Sequence, residues 1–385
     1  MDTTQRPSKR FVKWPPKVAK KEILGYLKDG KSKDHTTNLP PQDPLKLISG
    51  KTYSRDIGCS SVMRGTPVFL FGDTFCKDNF EQEACLADNS VSIVRDPTNP
   101  TMSEYFSLRY DGNVTPFLQS RSKLWNWIPP NEVGENGRVT CWTFGGIAHE
   151  SPIVGLGWCW YQESEMVDGL LSARVYLDQT SNRYLGTRLA QVIWSQFDDM
   201  PHAAPIEDVY FGPDEPRLGT FGTLTEDGYI YLWGHYDDAV VLGRVGSRVA
   251  DRREMYEVWD GIGYTPDLTR AEVVMNHMQH GAFWRSNMFR PGDDREYVFV
   301  GVRSWADSKI LMGTAPRVEG PWDLRELCTA EPIDFPSPFL YCVFPHPWAF
   351  KDEDGELMVT WSEHRPGGVV AAKLTLEMEE SEESG

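Results

Sequence analysis

Asp56 and Asp73 are the residues of this chain best placed to do chemistry, and both fall in one stretch, Ser54–Phe75, SRDIGCSSVMRGTPVFLFGDTF. Two carboxyl groups at one end of a sheet can share the work of proton donor and of base or nucleophile, which general acid–base and glycosyl-transfer chemistry both require. Thr66–Phe71 is a short apolar run between Arg64-Gly65 and Gly72, so it reads as a buried strand with Asp73 at its exit. Asp56 precedes it in a turn rich in Ser and Gly, and a hairpin brings the two acids to the same end. The plainer reading is that each Asp caps a turn through its own backbone. If they work as a pair, like-charge proximity separates their roles. Gly72 and Thr74 offer hydrogen bonds to Asp73, which makes it the ionised member and Asp56 the acid.

Glu150, after Gly145-Gly146, is a third candidate carboxylate. His149-Glu150-Ser151-Pro152 does not begin a zinc-protease helix, because Pro152 would break it and position 153 is Ile. Neither a nucleophile-elbow serine motif nor a phosphate-binding loop occurs. Trp125 and Trp127 in KLWNWIPP, together with Trp284 and Trp305, are candidates for stacking on a sugar or a planar ring, although any one of them can equally pack between sheets. The long segment Arg109–Glu135 reads as a loop overhanging a pocket. His149, His235 and His346 come from different parts of the chain. His346 is taken as a substrate contact; the three are otherwise read as hydrogen-bonded structural residues, with no metal site and no cofactor expected.

The elements that must position these residues are short strands. Aromatic residues make up 12% of the chain, including 14 Trp, with 33 Gly and 27 Pro, a composition that suits many strands and tight turns. From Thr52 onward a strand–turn–strand unit recurs five times. The units centre on Thr66–Asp96, Arg138–Ser195, Phe221–Val245, Arg295–Asp323 and Tyr341–Leu376, and the second includes SARVYLD at Ser172–Asp178. Small sheets that cannot bury their faces alone stack around an axis, so the reading is all-β, a five-bladed β-propeller. The expected organisation is an N-terminal arm at 1–50 with a helix at Val18–Lys28, a propeller domain at 51–376 and an acidic tail at 377–385.

A net charge of −17 repels phosphate backbones, which argues against a nucleic-acid partner. The seven cysteines include no C-x-x-C pair, although Cys76 and Cys85 flank one loop. No apolar core of a secretory signal and no membrane-length apolar run is present, so the expected location is cytoplasmic, with no membrane partner.

Arg55-Asp56 before a strand, Phe71-Gly72-Asp73-Thr74-Phe75 after it, Asn89-Ser90 opening the next, Gly228–Gly234, Gly320-Pro321-Trp322 and Pro345-His346-Pro347 together carry a resemblance. Over about residues 52–376 the chain resembles five-bladed propellers related to glycoside hydrolases, which include endo-acting arabinan hydrolases. The resemblance implies a catalytic pair at Asp56 and Asp73 and a carbohydrate or other small-molecule substrate. The chain is also similar to fungal hetero-Diels–Alderases of tropolone–sesquiterpenoid biosynthesis, which implies the alternative of an intracellular pericyclase of secondary metabolism using the same pocket.

Overall fold

The structure is a computed structural model, described over residues 9–29, 54–77, 83–104, 116–120, 127–128, 138–150, 155–166, 182–206, 210–333, 340–363 and 368–380. Trp125 and the segment Ser172–Asp178 lie outside the described residues. The described residues form strands and a few 3-10 turns, with no α-helix and therefore no helix long and apolar enough to cross a membrane.

Five antiparallel sheets stand in a ring as a five-bladed β-propeller. From the inner edge outwards, blade I is Ser54–Met63, Thr66–Lys77, Glu83–Ala87 and Trp127–Ile128, with Ser90–Ile93 also pairing on the second strand. Blade II is Arg138–Trp142, Leu156–Met166, Asn182–Ile193 and His202–Pro205. Blade III starts with Gly222–Glu226, Tyr229–Tyr236 and Ala239–Gly246. Blade IV is His280–Arg285, Tyr297–Val302, Lys309–Ala315 and Asp323–Thr329. Blade V is Leu340–His346, Glu356–Glu363 and Gly368–Leu376, completed on its outer edge by Val18–Tyr26 from the start of the chain.

The expected helix at Val18–Lys28 is therefore a strand. Its neighbour Gly368–Leu376 supplies an edge to pair with, and register shifts at Val18/Lys20 and Ile23/Gly25 accommodate a sequence that lacks strict alternation. Its lysines fit an outermost strand, where charged side chains also discourage pairing with another molecule. The segment before it, Arg10–Val12, pairs with Met378–Glu380, which follow the last strand of blade V.

Every blade is covered on both faces by its neighbours, which is why the central strands read as continuous apolar runs. Val68 and Leu70 face Cys159, Tyr161 and Val192 of blade II, whereas Phe69 and Phe71 face Met358, Val369 and Ala371 of blade V. Trp158 and Trp160 pack on Leu218, Leu232 and Tyr256 of blade III. Trp233 stacks on Phe283 of blade IV with centroids 4.0 Å apart. Val298 and Val300 complete the circuit against Val359 and Trp361 of blade V. The turn read from Glu226-Asp227-Gly228 is a two-residue hairpin with both central residues in the left-handed region, at φ 49° and 81°.

Candidate functional site at the axial mouth

The inner strands run side by side, so residues at their starts share one end of the axis. In blade I, Arg55 faces Thr74 and Ile57 faces Phe71, which leaves Asp56 opposite the pair Gly72-Asp73. The Asp56 carboxylate lies against the Gly72 Cα: a Cβ there would overlap Asp56 Oδ1 and the Ile57 side chain. This is the physical reason for glycine in the G-D-T motif. Thr74 Oγ1 donates to the Gly72 carbonyl at 3.0 Å and lies 2.8 Å from Ser90 Oγ, fixing the backbone beside Asp73, which is itself only 5% exposed.

Blade V supplies the group that meets Asp56. Tyr341 donates its hydroxyl to Asp56 Oδ2 at 2.9 Å. Both strands are kinked where this contact forms. Ile57 has φ 66° and Cys342 φ 54°, left-handed values that L-residues rarely adopt and that a β-branched side chain opposes. Register shifts at Arg55/Ile57 and Tyr341/Phe344 accompany the two kinks. Such strain costs about 1–3 kcal/mol per residue and persists where surrounding packing holds it, commonly at ligand sites.

Trp305, on the blade IV loop 303–308, lies against Tyr341 with centroids 5.2 Å apart and stands perpendicular to the His280 ring, also at 5.2 Å. His280 opens the inner strand of blade IV and meets Phe144 of blade II at 4.7 Å. Blade III stands between those two blades, so this contact crosses the axis and closes it beneath Asp56. Cys342 Sγ is 3.8 Å from His280 Nε2. Burial, followed by the nearby Asp56 charge, pushes the Cys342 thiol well up, and burial pushes His280 down to about 3. The pair is therefore a neutral thiol beside a neutral imidazole, not an activated nucleophile.

Other residues singled out from the sequence fall elsewhere. Glu150 follows the far end of the blade II inner strand: its amide bonds the Leu156 carbonyl, and Thr225 Oγ1 donates to the neighbouring His149 carbonyl. Counting strand rise past the Ile147–Ser61 contact separates it from Asp56 by roughly 20 Å. Trp284 is 8% exposed in the blade IV–V core, its Nε1 3.4 Å from Asp352 Oδ2. His346 is wholly buried on the seam of blades I and V, one ring nitrogen 2.6 Å from Ser60 Oγ and the other 2.8 Å from Thr360 Oγ1. Both nitrogens are engaged inside the core, so the structure gives His346 a packing role where a substrate contact was expected. The Trp127 backbone pairs with Ala87 as the outer strand of blade I. Within the long segment 109–135, Leu118 is held by both amide atoms of Asn89, and Ser120 donates to Glu163, which also binds Arg188.

Tyr341 and His280 went unread. Tyr341 lies in an aromatic strand unit with no polar signature. The blade IV inner strand, which would have flagged His280, has the uninformative sequence HGAFWR.

No protein family matches the sequence, and no curated protein matches it. Solved structures do. A Bacteroides ovatus ATCC 8483 protein named provisionally as a hydrolase is 15% identical, with TM-score 0.59 over 83% of this chain and 85% of that one. A family 117 glycoside hydrolase of Zobellia galactanivorans is 10% identical, TM-score 0.45, covering 92% and 90%. The GH43_1 enzyme of Xanthomonas citri, solved with xylose, is 11% identical, TM-score 0.46, covering 84% and 87%. At these identities the likeness is one of fold.

Proposed function

We propose that the chain is a glycoside hydrolase-like enzyme that acts on a carbohydrate at the axial mouth, with Asp56 and Asp73 as its carboxylate pair. The observation that carries this reading is the Tyr341–Asp56 hydrogen bond across the seam of blades I and V, held by two strained residues. A donated hydrogen bond favours the charged form of a carboxylate. On that ground Asp56 takes the role of base or nucleophile and Asp73 that of its partner carboxylate, the reverse of the assignment read from the sequence. Glu150 takes no part, given its distance from the pair.

The pericyclase reading draws its support from the apolar floor, where Phe144 and Phe344 flank a neutral His280. A pericyclase needs a positioned donor and tolerates loss of a carboxylate charge. Rates of the Asp56→Asn and Asp73→Asn proteins on aryl xylosides, arabinosides and galactosides separate the two. A fall of about 10²-fold or more in both variants supports hydrolysis, whereas wild-type turnover in either one removes the two-carboxylate mechanism.

A further inference from the structure

Among the described residues, His280 is a buried side chain at this end of the axis with a ring nitrogen left unpaired. It is 1% exposed, and its Nδ1 has no hydrogen-bond partner among the described residues. Its surroundings are the rings of Phe144, Trp305 and Phe344, and the Cys342 sulfur lies beside the other nitrogen. A buried polar atom left unpaired costs about 1–3 kcal/mol, so native proteins retain one where a ligand or an ordered water completes it. Its position matters as much as its orphan state. Because the Phe144 contact crosses the axis, His280 forms the floor beneath the Asp56–Tyr341 pair.

We propose that His280 Nδ1 receives a hydroxyl group of a neutral sugar ring bound in the axial mouth, with Trp305 displaced from the imidazole as the ring enters. This rests on the carbohydrate reading above and narrows it to uncharged saccharides at the floor. The chemistry of the surrounding groups sets that class. The imidazole stays neutral, because burial holds it far below its ordinary value. The Cys342 thiol beside it stays protonated. A carboxylate placed there would meet no cation among the described residues that contact His280 and would lie near Asp56, a like charge in a desolvated site. A hydroxyl both donates and accepts, and it satisfies a neutral imidazole nitrogen in either tautomer. Arg303 is exposed two residues before Trp305 and belongs to the rim.

Calorimetric titration of the wild-type protein with xylose, arabinose and galactose, and separately with glucuronic acid and sialic acid, tests the class. The expected result is binding of at least one neutral sugar with uronate and sialate weaker by roughly tenfold or more, the ratio that one lost buried hydrogen bond produces. His280→Phe, which keeps a planar ring in an aromatic pocket, should remove neutral-sugar binding at an unchanged melting temperature. A second readout uses the wild-type protein alone: the His280 Nδ1 nitrogen resonance should move on saturation with the bound sugar. Acidic sugars binding as tightly as neutral ones, no binding by any of these sugars, or a His280 resonance unmoved at saturation would overturn the proposal. His280-dependent binding with no hydrolysis of any glycoside would uphold it while removing the hydrolase reading.

Discussion

The hydroxyl of Tyr341 and the Oδ2 of Asp56, 2.9 Å apart, join the last blade of the ring to the first at the mouth of the axis. Their residues are 285 positions apart in the chain and meet only because the ring closes. Tyr341→Phe keeps the ring that packs on Trp305 and removes only the donor. The carboxylate loses a bond that favours its ionised form, so the acid limb of the rate profile should move to higher pH. Rate profiles of the two proteins on a common aryl glycoside check this, and superimposable profiles would show that Tyr341 only packs.

Gly72→Ala places a methyl group where the Asp56 carboxylate and Ile57 now lie. Asp56 must rotate away, so turnover should fall about as far as in Asp56→Asn. Melting temperature should fall as well, because the Ile57 side chain belongs to the core between blades I and II. Glu150→Gln serves as the control: with its partner Arg248 exposed at the far end of the axis, it should leave both quantities unchanged.

Two buried histidines, His280 and His346, and the partly buried His235 make the fold sensitive to acid. Burial pushes His235 down to about 4 and His280 and His346 to about 3. Between the ordinary value near 6.5 and these depressed values, the unfolded chain binds protons that the folded one refuses, so stability falls as pH falls. Each histidine contributes a slope of up to about 1.4 kcal/mol per pH unit in that window. Urea denaturation between pH 7.5 and 5, above most carboxylate titration, should show the decline, and His280→Phe should make it shallower.

Deleting residues 1–26 strips the outer strand from blade V and the Arg10–Val12 pairing with Met378–Glu380. It also removes Trp14, which donates to Asp323 Oδ2 and packs on Phe289 of blade IV. A loss of several kcal/mol lowers the melting temperature by roughly 10 °C. A thermal melt of the truncated protein checks this, and an unchanged midpoint would show that three strands suffice for the last blade.

Blade number was legible because a sheet covered on both faces writes itself as dense apolar runs such as VFLF, WCWY and VFVGV. The hairpin at Asp227-Gly228 was legible because its left-handed backbone selects those residue types. Val18–Tyr26 was hidden, since its Lys and Glu residues serve an exposed edge and its register shifts erase the two-residue period. Among the candidate site residues, Asp56 and Asp73 stand out in the sequence by type and local context. Tyr341 and His280 did not, because their significance comes from meeting residues of other blades, a relationship that no local window contains. His346 and Trp284 misled for the same reason: a histidine or tryptophan has the same letter in a core and in a binding site.

Closure of the ring by strands from opposite ends of the chain also governs when the site comes into being during synthesis. Asp56 leaves the ribosome long before its Tyr341 partner, 285 positions later, and before the strand Gly368–Leu376 that captures Val18–Tyr26. Domains fold as their sequence emerges, and pairings this distant are slow to form. An incomplete chain therefore carries the aspartate without its donor and leaves the edge awaiting Val18–Tyr26 unbuilt. The Asp56–Tyr341 contact and the last blade are therefore assembled only after Leu376 has been made, which makes an intact mouth of the axis a report on synthesis through that residue.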